Sequence, residues 1–287
     1  MAISNNLTVP ESAVDTSPTN QFSDANRKSP RNGILIINAD DWGRDAETTD
    51  RILECVLLGS VSSTSAMVFM EDSERAAALA HERGVDIGLH LNFTTAFSSS
   101  SISGQIAKHH QRVSRFLLRS RMAQVVYHPG LAGSFEYVVK AQIEEFQRLY
   151  GTGPRRVDGH HHMHLCANVL FAGLMPKGTI ARRNFSFRPG EKSGINRLYR
   201  RGIDRILARR HRLTDFFFSL PPLEPVKRLE QIFALANQSV VEVETHPVNA
   251  EEHRFLTDNI CRRIGDIQIA PRFTIPSREN LPQGAHS

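Results

Sequence analysis

Gly-Ile-Leu-Ile-Ile-Asn-Ala-Asp-Asp-Trp-Gly, residues 33–43, is the stretch whose reading decides the fold. Residues 33–38 are almost continuously apolar, as a parallel strand buried on both faces reads. A doubly acidic turn follows at once. Residues 45–58 then place Ile52, Leu53, Val56 and Leu57 at helical spacing. Strand, polar turn and helix make one βα unit.

The unit recurs along the chain. Residues 62–69 and 85–91 read as strands around an Ala-rich helix at 72–83. Residues 135–150 carry a helical stripe of Val138, Val139, Ile143, Phe146 and Leu149. Residues 156–160 and 179–183 return to strand, 196–210 and 226–237 to helix, and 240–245 to strand. A helix at 251–264 and an extended segment at 267–270 complete the series. Seven or eight such units in one domain predict an α/β fold whose parallel strands close, or nearly close, into a barrel with outer helices. Residues 96–131 interrupt the alternation; they are Ser-rich, then basic, and read as an inserted loop or helix over the barrel mouth. Residues 1–32 are polar and aperiodic and read as a disordered leader, 33–275 as a single barrel domain, and 276–287 as a loose tail.

Composition narrows the class. The chain has 287 residues, 40% hydrophobic and 23% charged, which excludes collagenous, disulfide-stapled and wholly disordered proteins. No apolar run reaches the roughly 18–20 residues of a membrane span, and the first residues lack the basic-then-apolar order of a secretory signal. Cys55, Cys166 and Cys261 form no CxxC pair and read as buried free thiols in a reducing cytoplasm. The net charge of +5 is unevenly placed: residues 182–212 hold eleven cations against Glu191 and Asp204. That block suggests an anionic partner, or else a solvated helix face.

Polar clusters sit where strands end, on the face where parallel α/β folds build their sites. In Asn38-Ala39-Asp40-Asp41-Trp42-Gly43, two adjacent carboxylates are costly to bury unless paired or metal-bound, and Gly43 permits the turn that lets both face one cavity. In Gly88-Leu89-His90-Leu91-Asn92, alternation sends the leucines outward and His90 inward. Residues 157–165 hold Asp158 and four histidines, His160, His161, His162 and His164; if extended, Asp158, His160, His162 and His164 share a face. A fourth cluster, residues 242–247, ends in His246-Pro247. Together these supply Asp and His donors suited to Zn²⁺ and, with water ligands, to Mg²⁺, Mn²⁺ or Co²⁺.

IINADDWG, GSVSSTSAMV, DIGLHLNFT, VDGHHHMHL and the later ETHP occur in order between Ile34 and Pro247. This combination resembles the YdjC-like carbohydrate deacetylases. The resemblance implies a distorted TIM-like barrel that removes N-acetyl groups from amino sugars with one divalent metal ion. It implies Asp41, His90 and His160 as metal ligands, Asp40 as catalytic base, His246 as the acid that protonates the leaving amine, and Asp158 as the carboxylate orienting a histidine. Trp42, standing where the family usually has Phe, His162 and Arg182 are assigned to substrate contact. The basic block suggests that the acetylated sugar carries a phosphate, nucleotide or lipid group. A homodimer and peripheral contact with a membrane surface stay open; nucleic acid is not expected as a partner. Two rival readings remain: a metal phosphoesterase on a similar barrel, and a basic nucleic-acid or membrane-surface binding protein.

Overall fold

The structure is a computed structural model that describes residues 33–187, 193–258 and 267–276. The expected leader, nearly all of the expected tail, Cys261 and the cations Arg188 and Lys192 lie outside the described residues. Seven parallel strands form one curled sheet in the order β5-β4-β3-β2-β1-β7-β6. They are β1 (Ile34–Trp42), β2 (Ser63–Ala66), β3 (Ile87–Leu91), β4 (Arg156–Gly159), β5 (Ile180–Ala181), β6 (Phe216–Ser219) and β7 (Val240–Thr245). The two edges meet through irregular bonds: Ala181 N donates to Arg212 O, Arg212 N to Thr179 O, and Ser186 N to Phe217 O. This is the expected distorted TIM-like barrel.

Eight helices surround the sheet in the described residues: α1 (Ala46–Leu57), α2 (Ser73–Arg83), α3 (Gly104–Leu118), α4 (Ala132–Tyr150), α5 (Ala167–Ala172), α6 (Gly194–Ala208), α7 (Val226–Leu235) and α8 (Ala250–Thr257). Asp45 caps α1, its carboxylate accepting from Thr48 N, which explains the abrupt strand-to-helix switch after the acidic turn. Gly151 ends α4 at φ 74°, where a side chain is disfavoured. The segment expected over the mouth contains α3, which packs on α4, followed by two short 3₁₀ turns. Two elements escaped the sequence reading, β6 and the six-residue α5. The final extended segment appears as a bridge of Ile269 to Leu35.

Each strand sorts its side chains between two environments. On β1, Leu35, Ile37 and Ala39 join the apolar layer beneath the helices, with Leu89, Leu91, Val157, Val241 and Val243 from neighbouring strands. The alternate residues Asn38 and Asp40 enter the barrel, where polar groups replace the branched apolar filling usual for this fold. Asn38 Nδ2 donates to Ser65 Oγ at 2.8 Å, and Ser65 Oγ donates to Asp158 Oδ2 at 2.6 Å. Among the described residues no helix is long and apolar enough to cross a membrane.

Candidate active site

The acidic turn is built by a bulge. Ala39 pairs with Thr64 and Trp42 with Ala66, so β1 spends one more residue than β2 over the same span. Asp41 sits at φ 72° and Gly43 at φ 84°. Asp40 faces the barrel by strand alternation, and the left-handed turn at Asp41 brings the next carboxylate to the same cavity. Both are nearly fully buried.

Three distant stretches converge on Asp41. Its Oδ1 lies 2.9 Å from His160 Nδ1 and 3.4 Å from His90 Nε2. Its Oδ2 accepts from Arg44 Nη1 at 2.8 Å. His90 is fixed from behind: Nδ1 lies 2.8 Å from Asp158 Oδ1, which turns Nε2 toward Asp41. That buried Nε2 makes no hydrogen bond, only the 3.4 Å contact with Asp41. Burial would raise the Asp41 carboxyl, but the His160 hydrogen bond and the neighbouring His90 imidazole outweigh it and hold it well below the usual range. Burial would lower His90, yet the charges of Asp40 and Asp158 prevail and push it up to about 10. The cavity floor therefore demands positive charge.

Arg182 is buried among carboxylates from three strands. Its Nη1 and Nη2 grip Asp40 at 2.6 and 2.8 Å, Nη2 meets Asp158 at 2.9 Å, and Nε meets Glu242 at 2.7 Å. Glu244 lies 3.3 Å from Nη1. One guanidinium thus serves four carboxylates from three strands. Burial opposes ionisation of Asp40, but Arg182 and His90 override it and lower its pKa. Burial raises Glu242 to about 7 despite Arg182. His246, part-exposed at the opening, places Nε2 3.9 Å from Asp40 Oδ2, while its backbone N donates to Glu252.

The YdjC-like protein model matches residues 34–269. The chain belongs to the YdjC-like family. Chitooligosaccharide deacetylase of Enterobacter sp. is 30% identical over 144 residues, 48% of this chain and 52% of that protein. Carbohydrate deacetylase of Clostridium beijerinckii is 26% identical over 216 residues, 74% of this chain and 80% of that protein. The chain spans about half the length of several chitooligosaccharide deacetylases it matches. A solved structure from Enterococcus faecalis, named for cellobiose-phosphate cleavage, superposes with a TM-score of 0.58 at 18% identity, covering 83% of this chain and 97% of that one. At that identity the likeness speaks to the fold.

In this YdjC-like chain, ligand atoms of Asp41, His90 and His160 lie within 4.8 Å of one another. The set fits a divalent cation: two imidazoles and a carboxylate, an unpartnered Nε2 aimed inward, and a second carboxylate orienting His90. A second grouping, Asp40, His90 and Asp158, shares His90. Its two carboxylates are already neutralised by Arg182, so the donors suit one ion and not a pair.

The histidine tract departs from its expected geometry. β4 ends at Gly159, and His161 and His162 turn left-handed at φ 53° and 57°. The four imidazoles therefore diverge. His160 meets Asp41, His161 Nδ1 lies 3.0 Å from Thr94 Oγ1, His162 Nε2 lies 3.6 Å from Glu244 Oε2, and His164 Nε2 meets the Arg182 carbonyl. Of the residues assigned to substrate contact, His162 is part-exposed and borders an open cavity. Trp42 and Arg182 are not so placed. Trp42 is fully buried in the apolar layer, and the Arg182 side chain is 1% exposed with its donors committed to carboxylates. Sequence reasoning also missed Glu242 and Glu244 as partners of a buried cation, Ser65 as a donor to Asp158, and Arg44 on Asp41. The alternation of Glu242 and Glu244 in an otherwise apolar strand was the available signal.

Proposed function

We propose that this YdjC-like chain hydrolyses the N-acetyl group of an amino sugar, releasing acetate and the free amine, with one divalent cation held by Asp41, His90 and His160. The observation that carries the reading is a buried carboxylate, Asp40, paired with Arg182, grouped with His90 of the three-donor cluster and 3.9 Å from His246 Nε2. Two imidazoles and one carboxylate suit Zn²⁺, Mn²⁺ or Co²⁺ better than Mg²⁺, which favours oxygen ligands. The curated relatives named as deacetylases support the reaction class.

An amide resists water because its carbonyl is weakly electrophilic and its amine leaves poorly. A cation at this site, when bound, supplies Lewis acidity toward the acetyl oxygen and toward water. Asp40, ionised and held in one orientation by the Arg182 fork, takes a proton from the attacking water. His246, on the solvent side of Asp40, gives a proton to the amide nitrogen as the C–N bond breaks. Asp158 keeps the His90 ring turned so that Nε2 and not Nδ1 faces the cluster. Asn38 Nδ2 also donates to Asp40 Oδ1 at 2.9 Å, so Oδ1 accepts two hydrogen bonds and Oδ2 one, from Arg182 Nη1, which leaves Oδ2 a lone pair for the proton.

The test is an acetate-release screen over N-acetylated mono-, oligo- and nucleotide-linked sugars with Zn²⁺, Mn²⁺, Co²⁺ and Mg²⁺. Turnover of at least one amino sugar, lost in His160→Ala, is the expected result. Turnover that survives in an Asp41→Ala, His160→Ala double variant stripped of metal contradicts it.

A further inference from the structure

Ten large apolar side chains stand exposed among the described residues, and seven of them fall on two short stretches. Leu118 (61% exposed) ends α3, and Met122 (65%), Val126 and Tyr127 follow it. Ile195 (84%), Leu198 (67%) and Tyr199 form the outer face of the first turns of α6, whose inner face buries Ile203 and Leu207. The stretches are far apart in sequence, yet they border one cavity of about 250 Å³. Gln124 and Val125 line it from one side and Tyr199 and Arg200 from the other, with His161 and His162 of the active-site turn also in its wall.

The same two stretches are cationic. No Asp or Glu occurs from residue 87 to 135, while Lys108, Arg112, Arg115, Arg119 and Arg121 do. On α6, Arg197, Arg201 and Arg205 accompany a single acid, Asp204, which Arg183 engages at 2.8 Å. Scattered exposed aliphatics are ordinary, but aliphatics clustered among cations on the two stretches that border one cavity are not. Five of the seven, Leu118, Met122, Val126, Ile195 and Leu198, are aliphatic and offer no stacking platform for bases; Tyr127 and Tyr199 are the only rings among them, fewer than a single-strand nucleic-acid surface of successive stacked bases uses. A second copy of the same face would set like charge against like. An anionic bilayer satisfies both components: apolar tips enter the headgroup–acyl boundary and guanidinium groups meet lipid phosphates.

We propose that this rim docks the protein on an anionic lipid bilayer, with Ile195, Leu198 and Met122 as the inserting side chains. Docking turns the cavity and the histidine turn toward the headgroup layer. If the proposed deacetylase reading holds, the substrate that profits is an N-acetylated sugar carried at that layer; the docking itself does not depend on turnover.

Sedimentation with phosphatidylglycerol-containing vesicles and with pure phosphatidylcholine vesicles tests the proposal on the full chain. Binding to the anionic vesicles alone is expected, falling as salt is raised to about 1 M, where the screening length shrinks to ~3 Å. Ile195→Asp with Leu198→Asp, and separately Arg201→Gln with Arg205→Gln, should each weaken partitioning by at least about tenfold. Both variants should keep wild-type melting temperature and wild-type acetate release from a soluble chitooligosaccharide. Absence of wild-type binding, equal binding by folded variants, or a concentration-dependent dimer abolished by the same substitutions overturns it. Vesicle binding without any acetate release would leave the docking standing and remove the deacetylase reading.

Discussion

Arg182 and Arg201 belong to one basic stretch of sequence and live in opposite environments. Arg182 is sealed in the barrel among Asp40, Asp158, Glu242 and Glu244. Arg201 stands in solvent on α6, beside the exposed face of Ile195, Leu198 and Tyr199. A charge taken into the interior costs several kcal/mol unless every partner is satisfied, so Arg182 is committed to its carboxylates and holds Asp40, the proposed base, in place. Arg201 retains its hydration and stays available to a partner. A local charge excess in sequence therefore mixes two quantities, internal compensation and surface potential.

The sharpest way to break the comparison is to remove the buried cation. Arg182→Met leaves four carboxylates without their shared partner and should cost about 3–5 kcal/mol in urea unfolding, with loss of activity. Arg182→Lys restores the charge but not the planar fork, and should recover stability in part while Asp40 stays misaligned. An Arg182→Met protein as stable as wild type would contradict the compensation argument. Next in size is Asp40→Asn, which preserves shape and removes the proposed base. It should lower kcat by roughly 10²- to 10⁴-fold with bound metal unchanged, as read by acetate release and elemental analysis.

Glu242 gives a smaller and pH-dependent effect. Its folded pKa, pushed up to about 7 by burial, lies above the unfolded value near 4.5. The folded state therefore holds its proton more tightly, and the stability this group contributes is complete below about 4.5 and lost as pH rises through 7. Glu242→Gln should gain on wild type as pH rises across that window, by at most about 1.4 kcal/mol per pH unit. A parallel pair of stability curves would show that Glu242 is ionised throughout. Smallest of all, Arg201→Gln should shift unfolding by no more than about 0.5 kcal/mol, consistent with a solvated side chain.

Much of this architecture is legible in the sequence where local pattern and tertiary role agree. The apolar run before Asp40 and the Leu89–Leu91 alternation around His90 state strand, face and direction together. The bulge at Asp40–Asp41 is hinted at by two carboxylates beside a Gly, although the left-handed residue is Asp41 as well as Gly43. The histidine tract is not legible, because two successive left-handed non-glycine residues leave no mark in periodicity. Strand β6 is a short Phe run directly after a basic segment, without the turn signals that would set it apart. Arg182 was hidden by its basic neighbours; only the pairing demand of Glu242 and Glu244, far along the chain, reveals it.

Metal stoichiometry tests the central claim most directly. Elemental analysis of the purified chain equilibrated with Zn²⁺ or Mn²⁺ should find one ion per chain. The ion should be lost in Asp41→Ala, His90→Ala and His160→Ala proteins that keep the wild-type circular dichroism spectrum. Two ions per chain, or one ion retained in all three folded variants, would contradict it.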